Sequence, residues 1–135
     1  MFKVPTYLAP SPLHGTGVFT AVPILAGTVI WEFDHPVDLE IRPEEMITIP
    51  EPFQSRFRHF CYLDERGIYV LCGDNARFMN HSQAPNCDDS GVATIAARDI
   101  TSGEELTCDY RSFDLESRVH GLVFLRESEQ IEATA

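Results

Sequence analysis

The chain lacks a CxxC pair, an excess of basic residues and a long apolar run, and each lack excludes a class of protein. Its four cysteines, Cys61, Cys72, Cys87 and Cys108, are widely spaced. Zinc sites draw their ligands in close pairs, so buried reduced thiols are expected and no metal site is. Ten Lys and Arg face 21 Asp and Glu, a formal charge of −11. Phosphate binding needs a basic face, which argues against nucleic acid as a direct partner. The longest apolar candidate, 21–31, is broken by Pro23 and Gly27 and falls short of the roughly 20 residues that cross a bilayer. Met1-Phe2-Lys3-Val4-Pro5 has no signal-peptide apolar region, so no membrane partner is expected and the cytoplasm is the default location.

What is present suits one folded domain. The apolar fraction, 44%, is that of a globular chain long enough to bury a core without staples. The acidity either serves solubility alone or steers a basic partner such as a lysine-rich peptide. Short β-rich runs recur at 4–8, 18–21, 29–33, 68–72 and 92–97, separated by turn residues. Ala9 to Leu13 reads as a rigid bend. Pro43 with Glu44 and Glu45 signals a helix start, and Pro52 repeats it. Phe53, Phe57 and Phe60 then recur on one helical face, expected to be buried. Asp114 is placed to cap a last helix with Leu115, Val119 and Leu122 inside. The expected fold is mainly β with a few short helices: one domain over 1–127, a helical insert at 43–61 and a tail at 128–135.

Two islands carry polar groups at the ends of rigid apolar segments. One is Asn75-Ala76-Arg77-Phe78-Met79-Asn80-His81-Ser82, followed by the turn Pro85-Asn86-Cys87. The other runs from Ser102 to Tyr110 and enters a strand at Leu106. Earlier, Gly15-Thr16-Gly17 precedes a strand, where paired glycines let the backbone approach something closely. No third glycine and no helix follow, so a phosphate cradle is excluded.

Together these residues resemble the SET-domain protein-lysine methyltransferases over nearly the whole chain. Gly15-Thr16-Gly17-Val18-Phe19 is similar to GxGVF, and Ile24 to Ile30 to IxxGxxI. Arg77 to Ser82 with Pro85-Asn86-Cys87 resembles RFxNHSxxPNC. Arg98-Asp99-Ile100 and Gly103 to Tyr110 resemble the closing RDIxxGEELTxDY. The resemblance implies small twisted sheets of a β-clip kind, with the Asn80 and Tyr110 segments threaded in a C-terminal pseudoknot. It implies S-adenosyl-L-methionine as methyl donor on one face and a lysine entering through a narrow channel on the other.

By the same resemblance, Gly15, Thr16, Gly17 and Asn80 would hold the cofactor's methionine end, and His81 its adenine edge. Asn80-His81 could otherwise be a supporting turn. Phe113 would either cover the adenine or seed the last helix. Tyr110 takes the catalytic position. A phenol titrating near 10 is a poor base at neutral pH, so orientation of the amine is its expected role. Lysine, with a reference pKa of about 10.4, would be neutralised by an apolar channel and the adjacent sulfonium. Phe33 and Cys108 would line that channel with Tyr110.

Departures from the pattern are specific. Thr16 stands where relatives carry a larger residue, and Phe33-Asp34-His35-Pro36 replaces the aromatic-x-Gly-Glu of many relatives. The flanking cysteine-rich segments of many histone-specific members are absent, so the channel would close with the last helix or a second subunit, which makes a homodimer plausible. A rival class is a SET-fold module that binds cofactor or a lysine-rich partner without useful turnover. Cys108 replaces a usual aromatic, and cysteine is a small, weak hydrogen bonder. Mass spectrometry of reaction products should therefore show di- or trimethyllysine from the wild type and a shift to monomethyllysine in Cys108→Tyr. Monomethyl product alone from the wild type ends this expectation.

Overall fold

Small sheets, each too short to bury a core alone, pack around a central apolar cluster and a smaller second one. The structure, a computed structural model, describes residues 1–120. Strands β1 (Thr6–Pro10) and β2 (Thr16–Thr20) form an antiparallel hairpin with Thr6 opposite Thr20 and Pro10 opposite Thr16. Strands β3 (Val29–Glu32), β8 (Cys87–Asp88) and β9 (Ala93–Ala96) form a sheet with β9 central. Strands β4 (Leu39–Ile41), β5 (Cys61–Leu63) and β6 (Tyr69–Leu71) form another with β6 central. Between β4 and β5 lie α1 (Pro43–Met46) and α2 (Phe53–Phe60). Strands β7 (Asn80–His81) and β10 (Thr107–Cys108) pair in parallel, and α3 (Leu115–His120) follows. The expected class, mainly β with short helices, is the observed one.

Val18, Ile24, Ile30, Met79, Cys87, Ala96, Ile100, Leu106 and Cys108 make the central core. Alternation on β2 turns Val18 and Thr20 fully inward, as the period of two requires. Leu106 donates its N–H to the Val18 carbonyl at 2.8 Å, which brings the closing island against the hairpin. A smaller core of Ile41, Met46 and Tyr69 seats the helical insert.

Asn86 joins the two polar islands. Its Nδ2 donates to the Glu105 carbonyl at 2.7 Å, and its Oδ1 accepts the Thr107 N–H at 2.9 Å. Its own carbonyl accepts the Ala97 N–H at 2.9 Å. The residue is buried, so the side chain satisfies backbone groups that water cannot reach.

Three expectations need correction. The strand β1 runs through Pro10 rather than bending at Ala9. Pro is tolerated there because β1 is an edge strand of a two-stranded sheet. The Phe stripe is not a buried face: Phe53 is 55% exposed, and Phe57 and Phe60 are half-buried. Helix α2 packs on the smaller core through Phe57 and leaves its first turn in solvent. In α3, Val119 is 64% exposed and Ser117 is buried. The Asp114 carboxylate binds both the N–H and the hydroxyl of Ser117, which turns Val119 outward. Leu122 and the 128–135 tail lie outside the described residues.

Asn86→Ala leaves the Glu105 carbonyl and the Thr107 N–H buried without partners, and each such loss costs about 1–3 kcal/mol. Urea unfolding should show a loss of about 2–4 kcal/mol at unchanged slope; a loss well under about 1 kcal/mol would show that water replaces the side chain.

Candidate active site

Three segments distant in sequence meet at the Asn80 side chain. Parallel pairing sets Thr107 beside Asn80 and Cys108 beside His81. The Asn80 Nδ2 donates to the His14 carbonyl at 2.9 Å, to the Glu105 Oε2 at 2.9 Å and to the Thr16 carbonyl at 3.3 Å. All three partners are acceptors, so the amide orientation is fixed, and its Oδ1 takes no hydrogen bond from a described residue. Glu105 also accepts the Ser11 hydroxyl, at 2.7 and 2.9 Å. A Cβ on Gly17 would stand 2.4 Å from Glu105 Oε2, so only glycine admits the carboxylate here. Gly15 has φ +45°, and the place of its missing Cβ is open space. That conformation costs glycine little.

His81 and Tyr110 are tied on the far side of the same pair of strands. The Tyr110 N–H donates to His81 Nδ1 at 3.1 Å, a bond that requires the unprotonated nitrogen. Burial lowers the His81 pKa from its ordinary value, against an opposing pull from Asp109 and with a further push down from Arg111. The Tyr110 hydroxyl donates to the Met79 carbonyl at 2.5 Å, one residue before Asn80. Burial, then the Cys108, Asp114 and Glu105 charges, push the phenol's ionisation well up. It is a donor at neutral pH, not a base.

Cys108 is 2% exposed and its thiol approaches the Asn80 carbonyl at 3.9 Å. Burial pushes that thiol well above its usual range. Phe113 stands edge-on to Tyr62 with ring centroids 5.1 Å apart and to Tyr110 at 6.0 Å, and it directly precedes the capping residue of α3. Phe33 makes its ring contact with His35, at 4.8 Å, and no hydrogen bond or ring contact ties it to this group.

The structure thus brings Gly15, Thr16, Gly17, Asn80, His81, Cys108, Tyr110 and Phe113 into one neighbourhood. Sequence reasoning gave Glu105 and Tyr62 no role. The sequence signal of Glu105 is the second acid of the Gly103-Glu104-Glu105-Leu106 run; its place opposite β2, by the isolated bridge Phe19 to Glu105, is visible only in the fold. Tyr62 sits in a strand of three residues with no turn signal before it, and nothing local marks it.

A family model described as SET domain matches residues 15–111. The chain is 35% identical over 126 residues to histone-lysine N-methyltransferase trr of Drosophila melanogaster, covering 84% of this chain and 5% of that protein. It is 29% identical over 131 residues to histone-lysine N-methyltransferase ATX2 of Arabidopsis thaliana, covering 81% of this chain and 11% of that one. It therefore spans only a small share of these curated relatives. Among solved structures, it is similar to a chain of a humanised mutant of the Chaetomium thermophilum Polycomb Repressive Complex 2, with TM-score 0.61, 24% identity and coverage of 85% of this chain and 16% of that one. A Plasmodium falciparum chain provisionally assigned as a histone methyltransferase aligns with TM-score 0.57 and 23% identity, covering 78% of this chain and 96% of that one. These two likenesses bear on the fold.

His81 makes this neighbourhood sensitive to acid. Because its folded pKa lies below its ordinary value of 6.5, the unfolded chain protonates first as pH falls. The stability tied to the neutral ring is complete above about pH 6.5 and drains below it, at up to about 1.4 kcal/mol per pH unit until the folded pKa is reached. Urea unfolding between about pH 8 and pH 5 should show this loss, and His81→Asn should remove up to one proton from the slope. An unchanged slope in the variant contradicts the assignment.

Proposed function

The chain belongs to the SET-domain family, and from that premise we propose that it transfers a methyl group from S-adenosyl-L-methionine to the side-chain amine of a protein lysine. The observation that carries this reading is the Asn80 junction, where the glycine loop, the Asn80 strand and the closing strand share one amide. Bound there, the cofactor would supply a sulfonium-activated methyl group.

The residues present fit such a group. The Asn80 Oδ1, which takes no hydrogen bond from a described residue, is an acceptor suited to the ammonium of an amino acid, and the open space beside Gly15 admits a ligand against the backbone. Gly15, Thr16 and Gly17 would hold the methionine end, and the His81 backbone would meet the adenine edge. Phe113 would wall the site beside Tyr110, a role that its ring contacts with Tyr62 and Tyr110 support. Tyr110, kept as a phenol by burial, orients the incoming amine through its oxygen. The Met79 carbonyl beside it adds a second partial negative charge where a positively charged methyl would lie. Phe33 and Cys108 would complete the lysine channel.

The basic, lysine-containing substrate is part of the proposal, favoured by the charge of −11 and by relatives named as histone-lysine methyltransferases. No helix of the described residues is long and apolar enough to cross a membrane; a cytoplasmic location and a homodimer belong to the same reading.

Calorimetry with S-adenosyl-L-methionine, followed by radiolabel transfer to core histones and other lysine-rich proteins, tests it. Tyr110→Phe should keep cofactor binding and lose at least about a hundredfold in turnover, the scale of a lost positioned hydrogen bond in a dry site. Asn80→Ala should lose cofactor binding. Wild-type binding with no transfer to any lysine would instead mark a cofactor-binding module.

A further inference from the structure

Helix α2 leaves aromatic surface open, and the charge beside that surface is opposite in sign to the molecule's net charge. Phe53, Phe57 and Phe60 of α2 and Leu71 of β6 line a groove of about 180 Å³, with Arg56 and Arg77 completing its wall. Leu39 lies opposite Leu71 in the β4–β6 ladder and is 52% exposed. Directly opposed residues of an antiparallel pair share a face, so Leu39 extends the apolar surface beside the groove. Apolar side chains exposed in one place, rather than scattered singly, mark a binding face.

The arginines indicate what binds there. Elsewhere among the described residues each arginine pairs with a carboxylate: Arg42 with Glu45, Arg66 with Glu40 and Asp64, Arg98 with Glu104, Arg111 with Asp109, and Arg118 with Glu65. Arg56, Arg58 and Arg77 make no ion pair with a described residue, and all three are exposed. They stand together, two on α2 and one in the groove wall. The Arg77 guanidinium lies 5.7 Å from the Phe60 ring centroid and 5.2 Å from that of Phe78, and Arg58 lies 5.5 Å from that of Tyr69. A guanidinium set over a ring keeps its fork of N–H donors for a carboxylate. In a chain with 21 Asp and Glu against ten Lys and Arg, internal carboxylates are plentiful, yet none reaches this face.

Independently of the methyltransferase reading, we propose that the groove between α2 and β6 docks an acidic segment of another protein, which seats one large apolar side chain among Phe53, Phe57 and Phe60 and lays its carboxylates on Arg56 and Arg77. Charge complementarity selects this occupant. A second copy joined through the same face would bring the two sets of arginines together, because a two-fold contact uses one patch on both partners. An anionic membrane is opposed by the charge of −11 on the whole chain. A carboxylate-bearing segment meets neither obstacle, and an apolar anchor beside its acids fills the space that the three rings leave.

Fluorescence polarisation of a fluorescein-labelled peptide, Glu-Asp-Leu-Phe-Glu-Asp, titrated with the full chain tests this. The expected result is saturable binding that weakens at least about tenfold in Arg56→Glu and in Arg77→Glu, the scale of a lost charge-assisted hydrogen bond. Phe53→Ser should weaken it by a similar factor, and raising NaCl from about 50 to about 500 mM should weaken it several-fold by screening. All three side chains are exposed, so urea midpoints should stay at the wild-type value and separate a lost contact from a lost fold. No saturation by the wild type overturns the proposal, and this includes the case in which the chain's own residues 121–135 take the groove. Equal affinity in the three variants overturns it too, as does equal binding of Lys-Lys-Leu-Phe-Lys-Lys. Two further results overturn it by naming another occupant: a wild-type dimer in sedimentation that Phe53→Ser dissociates, or binding to phosphatidylserine vesicles that the same variant abolishes.

Discussion

The site hangs on one amide nitrogen. Asn80 Nδ2 holds the carbonyls of His14 and Thr16 on one side and the Glu105 carboxylate on the other. Remove it, and the glycine loop loses these two hydrogen bonds to the strand that carries His81, while the Glu105 carboxylate retains its Ser11 partner. A short polar side chain serves here because the three acceptors converge within hydrogen-bonding reach of one nitrogen. Asn86 does the complementary work on the backbone, tying its own turn to the Glu105 carbonyl and the Thr107 N–H. Two asparagines thus fasten the Asn80 and Tyr110 islands, one through the glycine loop and one through the core.

Charge and burial divide the labour around this joint. His81 stays neutral because it accepts a backbone N–H in a buried setting. Tyr110 stays a phenol because burial and nearby negative charge oppose its ionisation. Both groups are therefore held in the uncharged forms that direct hydrogen bonds without competing for protons. Glu104, one residue from the Asn80 anchor Glu105, faces outward instead. Its pairing with Arg98 holds its carboxyl down at about 2, and it closes the turn that launches β10.

Much of this was legible in the sequence where local chemistry is strong. The glycine loop, the Asn80-His81 island and Tyr110 stand in motifs whose order and spacing are specific, and the fold places them together. Strands with apolar alternation, such as β2 and β9, fell where β-rich runs were read. The two-residue strands β7 and β8 did not, because pairing that short is decided by partners far along the chain rather than by propensity. The Phe53 stripe misled for a related reason: periodicity reports that one face is apolar, but not that the sheet beneath is wide enough to cover it. Tyr62 was illegible because its place is set by what packs against it.

The parallel ladder of β7 and β10 has a consequence for how the protein comes into being. Its partners are separated by the whole of β8, β9 and the closing turn, and the loop they seize lies near the start of the chain. Contacts of such sequence separation form late and all together. A ribosome-bound chain that has emerged only as far as β9 can own a hairpin and part of a core, yet not the Asn80 junction. The junction is in that sense a report on completed folding, and a lesion deep in the apolar centre would first be noticed as its failure to assemble.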